Sequence, residues 1–482
     1  MLKKQSLALL LASTCALPHA FCADLIAVGR LSAEAADLST ATAGPLENGM
    51  PGNLLGGLGS ALAYAGNNTF IAMPDRGPNA TSYNTPIDNT TSYITRFQTV
   101  SMVMTESPSG SALAFKLSPK LSATTLLSSP TALVYGSGAA GGGGGNFLGS
   151  GVPALNDATH NYFTGRSDNF DGNESSANPN NGRFDPEAVR VSKDGRSVFV
   201  ADEYGPNIYQ FERATGRRIA VFALPSKFEV SRPKANGDAE IAANPRGRLA
   251  NKGMEGLAIT PDGKTLVGIM QANLAQDAKG MLRIVTIDIA SKATREYAYQ
   301  LTSGSGVSEI VALNDHQFLV DERDGKGLGD QSKAVVKQLF LVDLKGASDV
   351  SAVESLSAAA PAVGKVLFLD LVSLLKAKGY SAADIPAKIE GLAFGADVTI
   401  RGVLNHTLYV TNDNDFQAQG GDNTFFVFGL TDADLARAGV TYAPQSISPV
   451  PEPAPYSLLL IGLGAIGFTV RRARSEVFRK NP

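Results

Sequence analysis

The 482-residue chain has two cysteines, no tryptophan and four histidines. Cys15 and Cys22 both fall in the first 23 residues, so the remainder is expected to hold neither a disulfide nor a cysteine nucleophile. Only His160, His316 and His406 lie beyond that segment, which disfavours zinc, an ion that wants His or Cys ligands. Basic excess is missing too: 42 Lys and Arg against 45 Asp and Glu give a net charge of −3, which argues against a nucleic-acid partner. The chain carries no Gly-x-Ser-x-Gly elbow, no Walker loop and no Rossmann glycine fingerprint in a strand-to-helix context. A serine esterase of the α/β-hydrolase type and a nucleotide-dependent enzyme are thereby disfavoured.

What is present begins with two terminal signals. Lys3 and Lys4 precede an apolar stretch from Leu7 to Leu17 and then small residues, the layout of a secretory signal over residues 1–23. At the other end, a proline-rich linker (446–455) contains Pro451-Glu452-Pro453. It leads to an apolar run from Tyr456 to Val470 and then Arg471, Arg472 and Arg474. Residues 456–474 are expected to form a single membrane helix with its basic cluster, the run being at the short end for a bilayer span. These last residues resemble a PEP-CTERM sorting tail. The resemblance implies exosortase-type processing, a transient membrane anchor, and a place in the periplasm or on the surface of a Gram-negative bacterium.

Between the ends, residues 24–445 read as one all-β domain of short strands punctuated by Asp-Gly, Asn-Asp and Gly-Pro turns. Five phrases recur, each opening on a polar residue and closing on another across a hairpin: Ser60 to Asp75, Glu187 to Asp202, Glu255 to Gln271, Glu309 to Asp321 and Glu390 to Asp413. Hairpins of this kind as the inner strands of a β-propeller would gather the polar residues at one mouth. The opening acids are 54 to 81 residues apart, but Ser60 and Glu187 are 127 apart. That spacing predicts six blades, with seven as the alternative and the missing blade between Leu113 and Thr164. Short helical insertions are expected over Leu369 to Lys378 and near Asp384 to Lys388. The stretches Gly136 to Gly151 and Asn173 to Gly182 are expected to be loops.

Several phrases together resemble the phytase-like family, "esterase-like activity of phytase": GRSDNFD from Gly165, RFDPEAVRVSKDGRSVFVADEYGPN from Arg183, NKGMEGLAITPDGKTLVG from Asn251, VSEIVALNDHQFLVDERDG from Val307, KIEGLAFG from Lys388 and HTLYVTNDNDF from His406. The resemblance implies an exported propeller-like domain with hydrolase activity toward phosphoesters or esters.

On the residues themselves, a mouth lined by Asp75, Glu187, Asp202, Glu203, Glu309, Asp321, Glu322, Glu390 and Asp413 would crowd like charges that cannot all ionise without a cation. Calcium suits an all-oxygen set. Glu187, Glu255, Glu309, Glu390, Arg76 and Arg323 are the candidate catalytic groups, with Lys252 as a further cation for a phosphate oxygen. The expected activity is metal-assisted cleavage of a small phosphorylated or ester substrate. The alternative is a non-catalytic surface or matrix-binding propeller in which the same charges are structural ion pairs. Ser167 to Glu174 is read as a polar turn rather than a calcium loop. Tyr204-Gly205-Pro206-Asn207, echoing Arg76-Gly77-Pro78-Asn79, is read as a repeated structural turn.

Overall fold

A computed structural model describes residues 23–80, 90–136, 151–302 and 304–448. The strands, in chain order, are β1 (Asp24–Leu31), β2 (Ala61–Tyr64), β3 (Thr69–Met73), β4 (Arg96–Glu106), β5 (Phe115–Leu126), β6 (Ser128–Ser129), β7 (Asn161–Tyr162), β8 (Pro186–Val191), β9 (Ser197–Asp202), β10 (Asn207–Glu212), β11 (Arg218–Ala223), β12 (Met254–Ile259), β13 (Thr265–Met270), β14 (Met281–Asp288) and β15 (Thr294–Gln300). There follow β16 (Gly306–Ala312), β17 (Gln317–Arg323), β18 (Lys337–Asp343), β19 (Lys365–Asp370), β20 (Lys388–Phe394), β21 (Val398–Ile400), β22 (Val403–Asp413) and β23 (Asn423–Leu430). Antiparallel ladders join β2 to β5, β8 to β11, β12 to β15 and β16 to β19 in sequence order. The last blade runs β20-β22-β23-β1, so the first strand of the described chain completes it. The innermost strands adjoin in a closed cycle, β2–β8–β12–β16–β20 and back to β2.

The propeller therefore has five blades, one for each recurring phrase, and not the six or seven that spacing predicts. Among the described residues, the long interval after Ser60 holds no further four-stranded sheet. It holds an unusually long outer hairpin, β4 and β5, and an irregular segment whose Leu127, Leu133, Phe163 and Phe184 pack between the first two blades. Between that hairpin and β8 the described residues form only the two-residue pair β6–β7. Apolar side chains filling a wedge between blades had looked, in sequence, like a blade that had lost its signature.

The inner strands are buried on both faces, which explains sequences such as Met254–Ile259 that are apolar almost throughout. Three short α-helices occur among the described residues: α1 (Gly237–Ala243) and α2 (Leu371–Ala377) between strands, and α3 (Asp432–Arg437) after β23. The expected helix after Leu369 is α2, capped by Asp370, whose side chain accepts the Ser373 N–H at 2.9 Å. Asp384 lies in a turn, without the helix expected near it. Among the described residues no helix is long and apolar enough to cross a membrane; residues 1–22 of the expected signal segment (1–23) and the apolar run from Tyr456 lie outside them.

Arg190 closes the central channel. Its guanidinium donates to the carbonyls of Leu62 and Ile310, on the first and fourth blades, and pairs with Glu309 at 2.9 Å. Both side chains are buried, so removing the cation alone strands a carboxylate. Arg190→Met is expected to lose about 3 kcal/mol in denaturant unfolding, and Arg190→Met/Glu309→Leu to recover most of it. A single variant within experimental error of the parent would contradict this.

Candidate functional site

Register decides which acids reach the mouth. In four blades the inner ladder slips by one residue near its start, as in β-bulges: between Pro186 and Ala188, Met254 and Gly256, Val307 and Glu309, and Ile389 and Leu392. The slipped positions include Glu187, Glu255, Ser308 and Glu390. On the neighbouring strands, the residues that follow the pairs made by Asp202, Met270, Glu322 and Asn412 are Glu203, Gln271, Arg323 and Asp413. In the first blade Asp75 takes the place of Glu203, because Asp75-Arg76-Gly77-Pro78-Asn79 matches Glu203-Tyr204-Gly205-Pro206-Asn207 in order.

These side chains surround one cavity of about 270 Å³. It is lined by Asp75, Arg76, Glu187, Glu203, Glu255 and Glu390 together with Gln271, Arg323, Lys252 and Lys388. Asp202, Glu309, Asp321 and Glu322, also expected at the mouth, lie elsewhere. A one-residue step along a strand turns a side chain to the opposite face. Asp202 accepts the N–H groups of Asp185 and Tyr204 at 3.2 and 3.0 Å. Glu309 takes those of Leu257 and Ile310 beside Arg190. Glu322 binds Tyr299 Oη at 2.6 Å and pairs with Lys365. Asp321 is fully buried and accepts no hydrogen bond.

Two carboxylate triads have oxygens within 4.8 Å of one another: Asp75 with Asp413 and Asp415, and Asp75 with Asp185 and Glu187. Asp75 belongs to both. Asp185 and Asp415 escaped the sequence reading. Asp185 precedes its strand, and Asp415 sits in the left-handed region (φ 52°) just beyond β22. The one available signal was their adjacency to phrases already marked as acid-bearing.

The local backbone positions these groups. Gly77 has φ +94°, and a Cβ there would press on the Tyr93 ring, so the turn that presents Asp75 requires glycine. Gly165 approaches so closely that an added Cβ would lie 1.6 Å from the Arg76 carbonyl oxygen. Its segment is a brace, with Arg166 paired to Asp168 at 2.6 Å and Asn169 donating to Thr164 Oγ1 at 2.7 Å. That arrangement fits the polar turn expected of it.

Most cations at the mouth are engaged. Arg76 donates to Asp185 at 2.7 Å and to Asn251, and lies 3.9 Å from Glu203. Arg323 binds Ser308 and Glu390, and stands 3.9 Å from Glu255. Lys388 pairs with Asp413 at 3.0 Å and with Asp415. Lys252 is exposed and forms no ion pair among the described residues.

Burial pushes Asp75 up to about 7, although Arg76 and Lys388 pull the other way. Glu255 rises to about 8 through burial and then the charge of Glu390, against Arg323. Burial, followed by the charges of Glu255 and Asp185, carries Glu187 and Glu203 well above the ordinary carboxylate range. Asp413 follows through burial, with Lys388 opposing. Glu255 accepts a hydrogen bond from Gln271 Nε2 at 2.7 Å on one oxygen. Its other oxygen, and one oxygen of Glu390, are buried without a hydrogen bond. Carboxylates this crowded, with uncommitted oxygens and no sulfur or imidazole among them, fit a hard cation such as calcium.

Residues 449–474 match the PEP-CTERM protein-sorting motif, which implies recognition by exosortase sorting machinery and export to the cell envelope. A relative from Arthroderma benhamiae, described as an uncharacterized secreted protein, is 29% identical over 327 residues. The match covers 57% of this chain, which spans only 60% of the length of that relative. Among solved structures, Kuenenia stuttgartiensis hydrazine synthase overlaps 75% of this chain and 78% of its own at 12% identity, with a TM-score of 0.32. The Cps50 (Swd1) β-propeller domain of Myceliophteria thermophila overlaps 48% and 52% at 13% identity, with a TM-score of 0.22. Neither likeness is close enough to bear on function. Residues 53–416, which hold every one of the five inner hairpins and both carboxylate triads, match the family described as esterase-like activity of phytase, and the chain belongs to this phytase-like family.

Proposed function

We propose that the protein is an exported hydrolase that cleaves phosphoester or other ester bonds at the carboxylate-lined mouth with the help of bound calcium. The observation that carries this reading is the pair of triads sharing Asp75, set against a cavity that also presents Arg76 and Lys252. Family membership and the secreted relative support it. Asp75 with Asp185 and Glu187, and Asp75 with Asp413 and Asp415, would each offer a position for the cation. It would supply Lewis-acid polarisation of the substrate's oxygen and a more acidic bound water.

The chain's own groups divide the remaining work. Lys252, the cation without an ion pair, receives an anionic oxygen of the substrate, and Arg76 offers a second positive charge beside it. Glu255 keeps its proton at neutral pH, and the Gln271 amide fixes one of its oxygens. The other oxygen is thereby left to donate that proton to the departing alkoxide. Arg323, between Glu255 and Glu390, orients both carboxyls rather than the substrate.

The test is phosphate or alcohol release from a panel of phosphomonoesters and carboxylic esters, with calcium and with chelator. Glu255→Gln should lower turnover by about a hundredfold while melting within a few degrees of the parent. A second reading, a binding propeller without catalysis, has one observation in its favour: Arg76, Arg323 and Lys388 are all already held by acids. No turnover on any substrate, with or without calcium, would decide for it.

A further inference from the structure

The end of the ring opposite the carboxylates is crossed by the chain's last described residues. After α3, the Ala443 N–H donates to the Leu313 carbonyl at 2.8 Å, the Gln445 side chain to the Val191 carbonyl at 2.9 Å, and the Ser448 N–H to the Lys193 carbonyl at 2.9 Å. Tyr442 packs on Phe394 and His406, with ring centroids 4.8 and 4.6 Å apart. The strap covers a small cavity of about 80 Å³ whose inner wall includes Arg190, the channel plug. Ser448 is thus bound at the β8–β9 turn, on the inner half of the second blade. The sorting-motif match begins one residue later.

We propose that the sorting tail holds this strapped face toward a lipid bilayer and that the carboxylate mouth opens away from it. The proposal rests on the apolar run from Tyr456 acting as an anchor, and is independent of whether the mouth is catalytic. Magnitudes decide the orientation. Residues 449–455 can span at most about 25 Å. The inner strands, at about 3.3 Å per residue, make the ring roughly 20 Å thick, and four strands spaced by about 4.8 Å make each blade about 15 Å wide. A path from Ser448 over the blade's outer edge to the level of the mouth is therefore roughly 35 Å, beyond the reach of the linker. The direct path through the channel is blocked by Arg190 and Glu309. The tethered protein cannot turn its mouth to its own bilayer. Whatever the mouth binds is then met from the aqueous side, soluble or matrix-borne, rather than as a lipid headgroup of the anchoring membrane.

The chain from residue 24 onward has no cysteine, so single labels can be placed at will. Lys264→Cys lies in the β12–β13 turn on the strapped face, and Gln419→Cys in the loop after β22 at the mouth; both side chains are exposed. Each labelled protein, tail included, is floated with vesicles of phosphatidylethanolamine and phosphatidylglycerol that carry a quencher lipid. With the bilayer surface beneath only one face, the K264C label should lose emission at least about threefold more than the Q419C label. A twenty-residue Gly/Ser insertion after Ser448 should erase that difference. Equal quenching without the insertion, stronger quenching at Gln419→Cys, quenching of neither label, or failure to float would each overturn the proposal. None of these outcomes bears on turnover, so the hydrolase reading stands or falls separately.

Discussion

Asp75→Asn should lower ester or phosphoester turnover by about a thousandfold or more and remove most of the stabilisation that calcium confers. Asp75 is the one residue common to both carboxylate triads, so a single amide weakens both cation positions at once. Loss of cation assistance forfeits several kcal/mol of transition-state stabilisation, and each 1.4 kcal/mol is about tenfold in rate. The neighbouring Asp202→Asn is the matched control. Asp202 is buried like Asp75 and rises, like it, to about 7, but its Oδ1 accepts the N–H groups of Asp185 and Tyr204 outside the cavity. It should cost stability and leave calcium binding, read by titration calorimetry, nearly unchanged. Equal loss of calcium affinity in the two variants would mean that the triads are not the binding site.

Cation-free protein should become markedly less stable as pH rises from about 4 toward 8, and calcium should reverse the loss at pH 8 but not at pH 5. The sign follows from proton linkage. Asp75 at about 7 and Glu255 at about 8 are raised above their unfolded values, so the folded state holds more protons than the unfolded state between those limits. Their contribution is fully present below the unfolded values, is lost as pH climbs, and levels off once the folded groups have ionised. Each such group tilts stability by at most about 1.4 kcal/mol per pH unit in that window. Glu187, Glu203 and Asp413, also raised, steepen the slope. Calcium opposes the loss only where it competes with few protons, so its binding should release protons at pH 6 and fewer at pH 8. Melting temperatures at four pH values, with calcium and with chelator, test this. A melting temperature that rises with pH in chelator would refute it.

Much of this was legible in the residues. The polar residue opening each inner hairpin, the turn at its midpoint and the acid near its close mark one blade apiece, and their number equals the number of blades. Spacing misled because Phe163, Phe184 and Leu133 fill an interblade wedge that has the composition of strands without their pairing. The site was legible to within one residue. Glu187, Glu255, Glu390, Asp75, Glu203 and Asp413 reach the mouth or its triads, whereas Asp202, Asp321 and Glu322 are each a step or two short along their strands. Glu309 occupies the position next to the slip in its blade, where the other blades have Ala188, Gly256 and Gly391, and it serves the channel plug instead.

The all-β class, the C-terminal sorting motif, the family and the presence of an acid-rich mouth were determined by the order of residues alone, because period-two burial, turn chemistry and terminal charge patterns are local properties. Which carboxylates share that mouth, how many blades surround it and which face the tail leaves from were decided only by the tertiary structure. A one-residue slip at the start of an inner strand reverses the face a side chain points to, and the slip depends on contacts with the neighbouring blade that no local sequence window contains.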